Sequence, residues 1–192
     1  MAQLKMGDTT IISNSSGTPT IQSGVTFPAG HILQVKQKKS DAFQEINANI
    51  PSMVNVSGLN ESITISANSK VLVNVFLTFG SEQWGAHAIL TRGINTSSRS
   101  VVDDAKGISS GNHTRVTAGS FAYQHTDETM QLNFTYLDSP AQSSSATIYY
   151  GINVGSRGTP NTITINVGHD YSDNSGYIAR GISTMTLYEV KS

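Results

Sequence analysis

Apolar and polar residues alternate along most of this chain with the two-residue period of a β-strand. The clearest case is residues 70–79, in which every odd position is apolar and the even positions include Leu72 and Phe76. Successive side chains of a strand point to opposite faces of its sheet. An apolar set on one face and a mixed set on the other therefore predict a strand that is nearly buried and central.

The same period predicts further strands, separated by clusters of Gly, Pro, Asn, Asp and Ser. They are residues 31–37, 62–66, 85–92, 115–123, 130–137, 146–154, 161–167 and 182–190. About nine strands without a helical period predict an all-β fold, an antiparallel β-sandwich or jelly roll. The polar stretch 93–112 is predicted to be a long surface loop.

The first 29 residues differ from the rest, because short apolar groups stand there among turn-forming residues. We predict an extended N-terminal arm, residues 1–29, before a sandwich domain, residues 30–192. Spaced apolar residues in an extended segment are typical of an anchor that lies along a partner or adds a strand to an open edge. The predicted anchors are Ile11, Ile12, Ile21, Val25 and Phe27.

Charge and composition exclude several classes of partner. The net charge is -1 and only 13% of the residues are charged, so no basic surplus is available to neutralise a nucleic acid. No run of 18 apolar residues and no polybasic cluster occurs, so we expect no membrane insertion. We expect no signal peptide, and the absence of Cys makes the fold independent of disulfides.

The sequence contains no recognisable catalytic or metal-binding constellation. The five His residues match no zinc spacing, and His87, between two alanines, is interpreted as a structural His with satisfied hydrogen bonds. Residues 169–177 resemble an acidic calcium loop. Counted from Asp170, however, Gly176 falls at the seventh position and no Glu stands at the twelfth. We therefore expect no enzyme activity, no cofactor and no metal requirement.

The only Trp of the chain, Trp84, lies beside the predicted turn between residues 70–79 and 85–92. Two interpretations are open. Trp84 caps the end of the core, or it contacts a partner. In the second case Trp84, Tyr171 and Tyr177 are candidate receptor contacts, because aromatic rings stack on the apolar faces of sugars.

Four segments in this order carry a family resemblance: GVTFPAGHILQV from residue 24, ANSKVLVNVFLTF from 67, YLDSPAQSSSATIYYGINV from 136 and GISTMTLYEV from 181. Together they resemble a module of bacteriophage virion proteins, most familiar from tail-fibre-like proteins of marine and cyanobacterial phages. The likeness covers residues 24–190. It implies a jelly-roll-like, trimeric, non-enzymatic part of a virion that is assembled in the host cytoplasm.

The resemblance and the residues together lead to a functional prediction. We predict a homotrimer, since many strand faces are uncharged on both sides and aromatic and small polar residues there fit a subunit interface. The protein would be a short tail fibre or receptor-binding tip for host surface glycans, joined to other virion proteins through its arm. The alternative is a capsid decoration (cement) protein that stabilises the phage head.

Overall fold

The computed structural model describes residues 2–6, 8–14, 20–21, 27–82, 84–120, 128–158, 162–170, 176 and 178–192. Within them the chain forms β-strands and one short 3-10 helix, Asp103–Ala105, and all pairs of named strands are antiparallel. The strands are β1 (Ala2–Met6), β2 (Thr9–Asn14), β3 (Thr20–Ile21), β4 (Ile32–Ser40), β5 (Gln44–Asn47), β6 (Val54–Asn55), β7 (Glu61–Ile65), β8 (Lys70–Ser81), β9 (Ala86–Ile94), β10 (Ser100–Val101), β11 (Ala118–Ser120), β12 (Met130–Asp138), β13 (Ala146–Ser156), β14 (Thr162–Ile165) and β15 (Ser183–Val190). The predicted all-β, antiparallel fold class is confirmed.

Two six-stranded sheets make up the sandwich. The first, here called the β8 sheet, has the order β4-β15-β8-β14-β5, with β12 also paired to β8. The second, the β13 sheet, has the order β10-β9-β13-β6, with β11 on β9 and β7 on β13. Buried side chains of both sheets form one hydrophobic cluster between them, which holds the sheets face to face.

Strand β8 occupies the central position that its residue pattern predicts. It pairs with β15, β12 and β14, and its five odd apolar side chains are at most 1% exposed. On the opposite face Leu72 and Phe76 are partly exposed. The alternation in the sequence therefore predicts correctly which face of β8 is buried and which is partly exposed.

The shortest strands are the ones that the pattern does not reveal. Strands β5, β6 and β10 have only two to four residues, and β10 and the 3-10 helix lie inside the predicted loop 93–112. Within the predicted strand 115–123 the described strand is confined to β11. Strands this short carry too few alternations to show a period, and they form because a longer neighbouring strand supplies the hydrogen-bonding partner.

An ion-pair network ties the two sheets together at one end of the core. The Asp138 carboxylate, on β12, is 2% exposed and lies 2.7 and 2.8 Å from Nη1 of Arg92, on β9. The hydroxyl of Tyr150, on β13, donates to Oδ2 of Asp138 at 2.6 Å. Burial, followed by the neighbouring Asp138 carboxylate, raises the pKa of Tyr150 far above its usual value, so the phenol stays protonated and donates.

Residues of the predicted arm pair with one another. Strands β1, β2 and β3 form a separate three-stranded antiparallel sheet. The sandwich domain begins beside its own C-terminus, where the Gly30 amide donates to the Lys191 carbonyl and the Lys191 amide donates to the His31 carbonyl. Phe27 stacks on His31 with ring centroids 4.5 Å apart, which fixes the chain where it enters the domain.

Candidate functional site

The turn from β8 to β9 presents the single Trp side chain at the surface. Trp84 has a φ of 65° and Gly85 a φ of 73°. Such a backbone conformation is common for Gly and costly for a bulky aromatic residue, so the surrounding structure has to hold Trp84 there. The Trp84 side chain is 44% exposed and is not a member of the buried core. The structure therefore speaks against the interpretation of Trp84 as a core cap.

The segment that follows β13 supports the indole from the side. The guanidinium carbon of Arg157 lies 5.5 Å from the Trp84 ring centroid, which is a cation–π distance. A Cβ built on Gly158 would lie 3.1 Å from Cδ1 of Trp84, so the indole packs closely against this glycine and would have to shift if the residue were larger. The Ser156 hydroxyl donates to the Gly158 carbonyl at 2.8 Å and fixes this turn.

Beside the indole lies an open cleft of about 500 Å³, a size that fits one or two sugar rings. Its described lining is positively charged or neutral, with Arg157 as a full charge, two imidazoles and no acidic residue. Five of its lining residues can stack on a ligand or form hydrogen bonds to it through their side chains: Trp84, His87, His113, Ser120 and Arg157. An aromatic surface next to cationic and hydrogen-bonding groups can bind a ligand, whereas glycoside hydrolysis normally requires a pair of carboxylates.

His87 forms part of the cleft wall on the outer face of the β13 sheet. It pairs with Gly119 on β11 and Gly155 on β13, and a Cβ on Gly119 would lie 3.0 Å from Cδ2 of the ring. Its Nδ1 is buried and has no hydrogen-bond partner among the described residues, so the expected satisfied His is not found. Burial, with a smaller effect of Arg157, lowers the pKa of His87, so the ring is neutral at pH 7.

A second, smaller cleft lies elsewhere on the same sheet. It has a volume of about 240 Å³ and contains Arg99, Asn60 and Tyr149 in its wall. Arg99 donates to Oδ1 of Asn55 at 2.9 Å, and a Cβ on Gly151 would lie 2.7 Å from Nε of Arg99. Burial lowers the pKa of Arg99. Because the Arg99 donors already bond to protein groups, this cleft has less to offer a ligand than the cleft at Trp84.

Of the three candidate receptor contacts, Trp84 alone can be placed. Tyr171 and Tyr177 lie outside the described residues. The cleft residues that the sequence did not single out are Arg157, Gly158 and His113. No motif marks them, because the β13 end, the β8–β9 turn and the loop before β11 meet only in the folded chain.

Four of the five predicted anchors lie among the described residues, at three points of the chain. Ile11 and Ile12 lie in β2, Ile21 lies in β3, and Phe27 stands at the entry to the sandwich domain. Val25 lies outside the described residues. The arm is thus available for docking as a paired segment, and the docking itself stays a prediction.

The described residues contain neither a cluster that could bind a metal ion nor a helix that could cross a membrane. Within the residues that the structure describes, no group of three or more His, Cys, Asp or Glu side chains could hold a metal ion. In the same part of the chain no helix has the length and apolar character needed to cross a membrane.

Comparison with known proteins gave matches among solved structures only. No protein-family model matches the chain, and no curated protein matches it. The structure of the infectious bursal disease virus Gx strain matches with 10% identity and a TM-score of 0.38, over 98% of this chain and 46% of that chain. The D431N mutant VP2 protein of the same virus, in T=1 particles, matches with 15% identity and a TM-score of 0.38, over 94% and 40%.

A VP2 subviral particle of that virus matches with 12% identity and a TM-score of 0.38, over 91% of this chain and 46% of that chain. The chain therefore spans less than half the length of the structures it matches. At this level of similarity we draw nothing about function from the comparison.

Proposed function

We propose that the protein is a non-enzymatic bacteriophage virion protein, a short tail fibre or receptor-binding tip that binds a host surface glycan. The cleft at Trp84 is the binding site, and residues 1–29 join the protein to the particle. The observation that carries this proposal is the presentation of Trp84. A strained backbone, Arg157 and Gly158 hold a large aromatic ring at the surface, where it contributes little to the core.

Binding explains the composition of the cleft better than catalysis does. No described lining residue is acidic, so these residues supply neither a general acid nor a carboxylate nucleophile beside the indole. A half-exposed indole, by contrast, offers a flat apolar surface to a pyranose ring, and Ser120 and the imidazoles can bond to its hydroxyls.

The proposed trimer would form through the outer face of the β8 sheet. Val35, Tyr188, Leu72 and Leu137 are aligned across four neighbouring strands in the register β4-β15-β8-β12. Val35 is 54% and Leu137 46% exposed, so the row forms an apolar stripe at the surface. A three-fold axis beside this stripe would cover it in each subunit. The stripe supports an interface between copies of the chain.

Substitution of Trp84 by Ala tests the receptor role. We expect the variant to fold with almost unchanged stability, because the side chain lies outside the core, and virions carrying it to lose adsorption to host cells. Ile182→Ala is a matched control that truncates a similarly exposed apolar side chain outside both the cleft and the proposed subunit interface. Normal adsorption of the Trp84→Ala virions would refute the proposed site.

The alternative function, capsid decoration, is favoured by one feature of the N-terminal sheet. Leu4 and Met6, in β1, are 58% and 73% exposed, which suits a segment that inserts between other subunits. Immunogold labelling of intact particles separates the two functions, since label on the tail supports the receptor-binding tip and label over the head supports decoration. Heat-induced loss of DNA from particles that lack the protein would also support decoration.

A further inference from the structure

We infer that the cleft at Trp84 binds an acidic sugar, whose anionic group pairs with Arg157 while its ring lies against the indole. This inference rests on the proposed glycan-binding function and adds the chemical class of the ligand. It uses four groups of the described cleft: the indole of Trp84, the guanidinium of Arg157 and the imidazoles of His87 and His113.

The charge of the cleft is the first argument. Arg157 is exposed, and none of the ion pairs among the described residues includes it. The cleft lining adds two imidazoles and, in its described part, no carboxylate. A neutral sugar is usually held by carboxylates and amides that accept hydrogen bonds from its hydroxyls, whereas the described lining of this cleft has neither. A guanidinium without a carboxylate partner among the described residues suits a ligand that carries the negative charge itself.

The second argument is the position of Arg157 relative to the indole. The guanidinium carbon lies 5.5 Å from the centroid of the indole, so the cation and the aromatic ring are direct neighbours in the cleft. A carboxylate or sulfate bonded to this guanidinium at about 2.8 Å would place the attached ring within contact distance of Trp84. Arginine matches such groups with two parallel hydrogen bonds, which a neutral hydroxyl cannot accept.

The third argument is the unused nitrogen of His87. Its Nδ1 is buried and lacks a partner among the described residues, in a cleft otherwise open to solvent. Buried polar atoms are usually bonded, and an exception next to an open cleft is explained by a group that arrives from outside. Gly119, opposite His87 on β11, leaves space for the ring, since a Cβ there would lie 3.0 Å from its Cδ2.

The single Trp makes the test simple, because the intrinsic Trp fluorescence of the chain reports on this cleft alone. The full-length protein is titrated with glucuronate and galacturonate and, at matched ionic strength, with their neutral parents glucose and galactose. Glucose 6-sulfate and sodium sulfate complete the series. We expect saturable changes with the acidic sugars, and dissociation constants at least about tenfold higher for the neutral ones.

Arg157→Gln should remove that preference, raising the dissociation constant for acidic sugars about tenfold, to that of their neutral parents. Lys38→Gln, which removes an exposed positive charge from the β8 sheet, is the matched control and should bind like the wild type. Far-UV circular dichroism confirms that both variants are folded.

The outcomes separate this inference from the function on which it rests. Equal binding of glucose and glucuronate would overturn the acidic-sugar inference and leave a glycan site at Trp84 intact. Binding of sodium sulfate as tight as that of glucose 6-sulfate would overturn it as well, because the cleft would then be an anion site only. If no sugar changes the fluorescence, both the inference and the glycan-binding function of this cleft are wrong.

Discussion

Removal of the Asp138 carboxylate, by Asp138→Ala, should destabilise the sandwich more than any surface substitution. The change leaves the Tyr150 hydroxyl without its acceptor in a fully buried position and leaves Arg92 without its partner ion. Breaking a buried ion pair costs about 3–5 kcal/mol. The Arg92 side chain is 27% exposed and can regain some water, which favours the lower end, about 3 kcal/mol.

The Tyr150 hydroxyl, left without an acceptor, adds about 1–2 kcal/mol, so the expected total is about 4–5 kcal/mol. For a chain of this size that corresponds to a fall in Tm of roughly 10 °C. Urea unfolding followed by circular dichroism measures the free energy, at one fixed protein concentration because the stability of an oligomer depends on it.

Two companion variants show where the energy comes from. Tyr150→Phe removes a single hydrogen bond to a charged acceptor and should cost about 2 kcal/mol. The double variant should lose less stability than the two single variants lose together, because each single loss includes the same hydrogen bond. Asp41→Ala is the matched control, because its ion pair with Lys39 is exposed, at 67% for Asp41 and 56% for Lys39, and should leave the unfolding transition almost unchanged. A loss below about 1 kcal/mol for Asp138→Ala would refute this account.

Three further predictions concern the arm, the trimer and the acid sensitivity of the cleft. A chain that starts at His31 should remain a folded trimer but fail to join particles in a phage complementation assay. An unfolded product would show that the arm belongs to the core. Normal incorporation would show that another surface of the protein docks to the particle. Leu137→Asp should reduce the mass in analytical ultracentrifugation from three chains to one, whereas Gln131→Asp, also exposed on β12, should not. The folded-state pKa of His87 lies below 6.5, mainly because of burial. The neutral ring therefore contributes its full stability above pH 6.5, and this contribution is lost as the pH falls from 6.5 towards the folded-state pKa. His87→Gln should flatten the pH dependence of urea unfolding in this window, and an unchanged profile would contradict the assignment.

The sequence by itself determined the long strands of this protein and the faces they bury. The alternation along residues 70–79 predicts the central strand β8 and its buried face, because side-chain direction in a strand depends only on the parity of the position. The same holds for residues 146–154 and 182–190, which form most of β13 and β15. Strands of this length show their period before any partner is known.

Only the tertiary structure decided which side chains meet. In the sequence, Tyr150 occupies one of the alternating apolar positions of β13 and nothing marks it as a hydrogen-bond donor. Its bond to Asp138 forms because β12 and β13 belong to different sheets that pack face to face. Trp84 and Arg157 are far apart in the sequence and meet because β8 and β13 end on the same side of the sandwich. Such contacts depend on register, sheet order and the positive φ at Trp84, and no periodic pattern encodes these, since periodicity is a local property of one strand.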